Sequence, residues 1–532
     1  MTKDDHLKKL AMSGRLSRRD FVAYASALGI GAAASTSMFV GAAKAAPVRG
    51  GDVRIGHAHG STTDSLDPGT WENDFTIELS FAANNFLTEI AADGSLVGEL
   101  AESWEASDDA MQWTFVLRKD VTFHNGKTVT AADVVASFNH HRGEGSESAA
   151  GPIVSPITDI QADGDNVVVF TLNGGNADFP FLVSDYHIPI KPAEDEGIDW
   201  QSGVGCGPYV MESWEPGVSA RFKRHEGYWK TDRAWFDTIE YTAVVDAAAR
   251  GNALVTGEVH VISRPDLKTV ELLARRPGID IEETSGTAHY GFPMRVDAAP
   301  FDNNDVREAL KWAIDREELV QKILKGRGFA GNDHPISPAN RYHATEEELP
   351  QRTYDPDKAK FHLKQAGMEN LSVNLQIADA AFAGAVNAAE LYREQAAAAG
   401  IDLVVVREPD DGYWSNIWNV QPFTGTYWGG RPTEDWMFTT THDKNAEWNE
   451  TAFKDDTFQS LLEQARSELD EPKRREMYVE MQRILSTQGG SLIPMFNNYV
   501  WAKTENLKHE EQMAANWDLD GHKWQERWWL EG

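Results

Sequence analysis

One cysteine, Cys206, occurs in 532 residues. No intramolecular disulfide can hold this chain, so its stability has to come from packing. Long apolar runs are also missing: after residue 45 no stretch of membrane-spanning length is free of charge. Positive charge is scarce, with 50 Lys and Arg against 83 Asp and Glu and a formal charge of −33. A protein that neutralises phosphates needs the opposite balance, which excludes nucleic acid as a partner and argues against anionic lipid surfaces. There is no internal repeat, no low-complexity linker, and neither HExxH nor GxSxG.

What is present is the composition of a globular protein. Hydrophobic residues make up 41%, charged residues 25% and aromatics 10%, with 18 Trp. The length is too great for one ordinary core and suits two or three lobes. An acidic surface keeps copies of such a protein apart in solution.

The first 45 residues read as an address label. Lys8, Lys9 and Arg15 precede Ser17-Arg18-Arg19-Asp20-Phe21, a twin-arginine pattern. The stretch from Phe21 to Ala43 carries no charge and is rich in Ala, Gly and Ser. Ala43-Lys44-Ala45 gives a small-x-small cleavage site, with cutting expected after Ala45. No cysteine lies near the cut, so a free periplasmic protein without a lipid anchor is expected. The label holds seven of the basic residues and three of the acidic ones, so the acidity belongs to the rest of the chain.

The remainder alternates strand and helix signals. GDVRIG (51–56) alternates as a short strand and runs into the turn-rich loop HAHGSTTDSLDPG. WTFVLR (113–118) and NVVVFTL (166–172) read as further strands. Thr130 with Asp133 predicts a capping box opening a helix to about His140. His140-His141-Arg142 then suits the helix C-terminus. Residues 301–324 predict one amphipathic helix, capped by Asp305 and ended by Gly326. Asp355-Pro356 opens another that Gly367 closes. Residues 371–407 read as strand, helix and strand, long enough for a parallel βαβ unit.

Several stretches together resemble the family 5 extracellular solute-binding proteins, the peptide and nickel class of ABC transporter receptors. They are GSLVGELAESW (94–104) with WTFVLRKDVTFHNGKTVTAADVV (113–135), then GCGPYVMESWEPG (205–217) with HEGYWK (225–230). Asn252-Ala253-Leu254 with Gly257-Glu258-Val259 and PFDNNDVREALKWAIDREELV (300–320) follow in the same order. The resemblance runs from about residue 50 to about 500. It implies an α/β, two-lobed periplasmic-binding-protein fold with mixed sheets, a hinge between the lobes and an inserted subdomain in the first lobe. The expected division is 46–85, 205–287 and 498–532 for the first lobe, 86–204 for the insertion and 288–497 for the second lobe. The resemblance also implies a solute held between the lobes, delivery to a membrane permease, a monomer and no catalysis.

In the peptide-binding branch, an Asp directly after a Trp of the second lobe commonly anchors the peptide amine. Here Tyr427-Trp428-Gly429-Gly430-Arg431 has no such acid, and Asp435 comes later. Arg431 suits a carboxylate through two parallel hydrogen bonds, or pairs structurally with Glu434 or Asp435. Gly430 allows close backbone approach, and Tyr427 and Trp428 offer rings for stacking. His289, His57 and His59, and Cys206 are further candidates for the cleft. No metal-ligand spacing stands out and no cofactor is expected. The ligand expected first is a di- or oligopeptide or an amino-acid-like zwitterion; a carboxylate-rich opine or metal chelate is the alternative. A periplasmic hydrolase is the alternative of another class, and turnover distinguishes it.

Overall fold

The computed structural model describes residues 47–531, apart from Glu72 and Glu196. The twin-arginine segment and its cleavage site lie outside the described residues. Among the described residues no helix is long and apolar enough to cross a membrane.

A seven-stranded mixed sheet forms the base of the molecule. Its order is Ile279–Thr284, Tyr499–Thr504, Val261–Ser263, Asp52–His57, Thr238–Ala243, Ser219–Arg224 and Tyr209–Glu215. Asp52–His57 lies near its centre, parallel to both neighbours. Central parallel strands are covered on both faces, which matches the burial of Val53, Ile55, Gly56 and His57. Phe75, Leu79, Phe222, Tyr241, Trp501, Trp524 and Trp528 fill its core. Most of the tryptophan surplus of the C-terminal residues is spent here.

Residues 101–172 build a separate four-stranded antiparallel sheet of Ala101–Ala106, Gln112–Leu117, Val167–Leu172 and Ile157–Asp163. The period-two pattern buries Trp113, Phe115 and Leu117 on one face. There Phe115, Phe138, Phe170 and Phe179 meet edge to face at centroid distances of 4.8–6.2 Å. Helix Ala131–His140 starts with the expected capping box of Thr130 and Asp133.

The second lobe centres on a four-stranded sheet ordered Gly328–Ala330, Met495–Asn497, His289–Gly291 and Thr426–Trp428. Beside it, Leu371–Ile377 and Ile401–Arg407 pair in parallel across helix Ala385–Ala397, the expected βαβ unit. The predicted single helix over 301–324 is two helices, Asn304–Trp312 and Arg316–Lys322. Asp315 accepts from the Glu318 backbone N–H and caps the second one, while Asn303, not Asp305, caps the first. A cap residue inside an apolar period starts a new helix because its side chain competes for backbone donors.

The chain passes between the two lobes' sheets at 285–288 and at Asn498. A further contact lies away from these crossings. Asp178 accepts from Arg474 Nη1 at 2.6 Å, both side chains being almost fully buried, and the Ala177 N–H donates to the Arg466 carbonyl at 2.7 Å. Another buried network ties the C-terminal residues to the first half of the chain. Lys230 Nζ sits 2.6 Å from Glu89, 2.7 Å from Glu99 and 2.8 Å from Glu526. These three carboxylates converge closely enough to hold a metal ion. The Lys230 ammonium fills that place, with Lys523 and Arg527 behind it.

Candidate functional site

The strand Asp52–His57 runs from the exposed Asp52 into the core of the seven-stranded sheet. His57 is buried against Tyr241, ring centroids 5.8 Å apart, and burial lowers its pKa to about 3, so it is neutral. The next turn carries His59, whose side chain is 38% exposed and whose Nδ1 lies 3.3 Å from Asp74 Oδ2. Asp74 opens helix Asp74–Ala83 behind the cap Asn73, which accepts from the N–H groups of Phe75 and Thr76. A carboxylate in the first turn is favoured by the helix dipole.

Arg264 follows the strand Val261–Ser263 with φ of 46°. Its Nη2 lies 2.9 Å from Asp74 Oδ2 and its Nε 4.0 Å from Asp518 Oδ2. Burial raises the Asp74 carboxyl, but Arg264 and His59 outweigh this and hold it well below the usual range. Asp518 behaves the opposite way: burial pushes it up to about 6. After Asp518, Leu519, Asp520, Gly521 and His522 all have positive φ, a left-handed turn. Such backbone is costly for residues with a Cβ and persists only where surrounding bonds enforce it. Here Asp520 accepts from the Ala514 N–H and from Arg527, and His522 pairs with Glu78 at 2.8 Å.

At the two crossings between the lobes, the hydroxyls of Thr287 and Tyr499 are 3.2 Å apart. The opposing wall comes from the second lobe. Tyr290 stacks on Phe382 at 4.4 Å, with planes 10° apart, and is paired across the sheet with Tyr427. Tyr427 is 50% exposed and meets Trp414 edge to face at 5.5 Å. Tyr290, Tyr427 and Trp414 thus form an aromatic shelf.

Arg431 is half-buried. Its Nη1 donates to the carbonyls of Gly429 and Gly430, and its guanidinium lies over the Trp436 ring at 5.7 Å. It forms an ion pair with no carboxylate among the described residues. Burial lowers its pKa, while Tyr186, Asp185 and Tyr499 favour its charge. A cavity of about 950 Å³ opens beside it, walled by Ile90, Trp104 and Phe181 on one side and by Arg341 and Pro432 on the other. The cavity does not include the Arg264 cluster; Pro432 connects it to a small recess lined by Asp185 and Trp517.

The structure sorts the sequence candidates. Arg431 is half-buried, Tyr427 is 50% exposed and the His59 side chain is 38% exposed. Gly430 allows a close approach: a Cβ there would lie 1.6 Å from Thr287 Oγ1, which seats the Arg431 loop against the crossing. Asp435 is corrected to a structural residue. It pairs with Arg466 at 3.1 Å, and Glu434 accepts from the Tyr342 N–H, so neither acid is the partner of Arg431. Trp428 alternates with Tyr427 and therefore points the other way, buried with its indole on Glu450. Cys206 is fully buried among the apolar residues of the 101–172 region, its thiol pushed up to about 12 by burial, and is out of the site. His289 is buried in its strand against Phe496. His140 and His141 bond Asp67 and Ser148. Sequence reasoning did not single out Asp74, Arg264, Thr287, Tyr290, Tyr499 and Asp518, which the fold brings near one another. Asp74 was visible as a helix start, whereas nothing local marks Arg264 or Asp518.

Comparison with known proteins follows the same lines. Residues 95–450 match the model of the bacterial extracellular solute-binding proteins, family 5. The chain is 30% identical over 297 residues to heme-binding protein A of Haemophilus influenzae, covering 51% of this chain and 54% of that one. This chain therefore spans about half the length of that relative. It is 26% identical over 440 residues to the dipeptide-binding protein of Escherichia coli, covering 74% and 79%. The structure of HbpA2 from Haemophilus parasuis superposes with a TM-score of 0.78 at 20% identity, covering 88% of this chain and 99% of that one.

Proposed function

Starting from the fact that the chain belongs to the bacterial extracellular solute-binding proteins of family 5, we propose that it captures a small carboxylate-bearing solute between its lobes for an ABC permease. It is a binding protein, not an enzyme. The observation that carries the ligand class is Arg431. This half-buried guanidinium donates to two carbonyls and lies over the Trp436 ring, and among the described residues it has no carboxylate in an ion pair. A carboxylate at Arg431 supplies two charge-assisted hydrogen bonds and the missing charge.

A peptide or amino-acid-like compound is the first choice, in keeping with the dipeptide-binding relative. The aromatic shelf favours ligands with a flat or apolar body next to the carboxylate, and this observation keeps an opine or an organic chelate as the second reading. The lobes are assigned as residues 46–85, 205–287 and 498–532, with 86–204 inserted, and 288–497. They close about the crossings near Thr287 and Asn498, and contact with both lobes is what makes a ligand favour the closed form. Export by the twin-arginine route, a lipid-free periplasmic life and a monomeric state complete the proposal.

The test is calorimetric titration of the protein and of Arg431→Ala with dipeptides, opines and metal chelates, found first by thermal shift. Loss of the guanidinium should weaken a carboxylate ligand at least tenfold, about 1.5–3 kcal/mol for a charged hydrogen bond. Unchanged affinity removes Arg431 from the site.

A further inference from the structure

We propose that the ligand runs past Arg431 into the cavity of about 950 Å³ and is a carboxylate with a long apolar tail, larger than a dipeptide. This rests on the reading that its carboxylate lies at Arg431. The insertion (86–204) then becomes a wall of the binding site and takes part in choosing the ligand.

The size of the cavity is the first observation. Pockets for drug-sized molecules run from about 300 to about 1,000 Å³, and this one lies near the top of that range. A carboxylate with one short side chain would leave most of it to water. The walls are the second observation, because they come from three separate parts of the chain. The insertion gives Leu96, Trp104 and Phe181, the second lobe gives Pro338 and Pro432, and the C-terminal residues give Met513. All six are apolar or aromatic, and all keep part of their surface exposed. Covering such surface is what favours an apolar tail.

The walls are also fixed from the protein side. Asp178 accepts from Arg474 Nη1 at 2.6 Å, and the Ala177 N–H donates to the Arg466 carbonyl at 2.7 Å. The Arg341 guanidinium lies over the Phe181 ring at 5.3 Å. Each of these contacts joins the insertion to the second lobe. They set the width of the cavity, so a ligand does not have to open it. Arg431 stands directly beside this space. Its carbonyl accepts from Asn340 of the cavity wall at 3.3 Å, and the residues that follow it, Pro432 and Thr433, are wall residues themselves. The charges present add one restriction. Asp93, Glu468 and Glu471 line the cavity as well, while Arg341 is paired with Glu471. A second anionic group on the tail would meet these acids, so the tail is neutral or ends in an ammonium.

The test uses the mature protein and peptides with a constant Ala-Ala carboxyl end, lengthened at the amino end one leucine at a time. N-acyl-alanines of matching length carry the tail without the extra amides and tell a peptide from an acyl amino acid. Calorimetry measures both series. Affinity should rise at least tenfold from the shortest to the longest member of one series or both. Tenfold is about 1.4 kcal/mol, which needs about 60 Å² of newly covered apolar surface at about 25 cal/mol per Å². Ala92→Trp narrows the cavity from a turn of the insertion and should cancel most of that gain. Ala339→Trp narrows it from the second lobe and serves if the first variant does not fold. Affinity that stays flat or falls with length in both series overturns the proposal; if Arg431→Ala still weakens the dipeptide, the Arg431 reading stands. A gain with length that the tryptophan leaves intact overturns the proposal too. Insensitivity of every ligand to Arg431→Ala, or absence of binding by all of them, overturns both.

Discussion

Glu434 supplies the sharpest quantitative test of the electrostatics around the large cavity. Its carboxyl is buried next to Pro432 and Thr433, and one oxygen accepts from the Tyr342 N–H at 2.6 Å. Burial, with Asp178 nearby, pushes its pKa up to about 7 from an ordinary value of 4.5. An acid with a raised folded-state pKa holds its proton in the folded protein at pH values where the unfolded chain has lost it. Its contribution is therefore fully present below about pH 4.5 and is lost as pH rises towards 7. A shift of this size at about 1.4 kcal/mol per unit amounts to about 3 kcal/mol. Glu434→Gln keeps the acceptor for Tyr342 and never ionises. The variant should match the wild type at pH 4.5 and exceed it by roughly 2–3 kcal/mol at pH 8. Urea denaturation at the two pH values reads this directly. Equal destabilisation at both would refute the reasoning, because it would mean that the negative charge is needed by Arg474.

Other expectations follow from the same structure. Asp178→Ala leaves Arg474 buried without its partner and should cost about 3–5 kcal/mol by chemical denaturation; Asp178 and Arg474 replaced together by apolar residues should recover most of it. Gly430→Ala drives a Cβ into Thr287 and should weaken ligand binding by displacing the Arg431 loop, with little change in melting temperature if the loop alone moves. Cys206 should resist a thiol reagent at pH 8 until the protein is unfolded, since its thiol is buried and its pKa is about 12.

Much of the local structure could be read along the chain. The helix at Ala131–His140 was marked by its capping box, the one at Pro356–Gln365 by Asp355 and proline, and the parallel pair 371–377 and 401–407 by length and β-branched content. These signals are local because caps and hydrophobic periods act over a few residues. The error at 301–324 has the same origin, since the apolar period continues across the break at Asp315 and only the cap reveals it.

The sequence by itself determined the acidic charge, the absence of intramolecular disulfides, the family motifs and the presence of Arg431 three residues after Trp428. It could not decide what that arginine does. Glu434 and Asp435 stand three and four residues from Arg431, yet their partners are Tyr342 and Arg466, and among the described residues no carboxylate pairs with Arg431. Likewise Asp74, Arg264 and Asp518 are far apart in sequence and meet only because the fold brings the end of strand Val261–Ser263 to the start of helix Asp74–Ala83 and to the turn at Asp518. Burial and pairing set the value of a charge, and both are properties of the assembled fold.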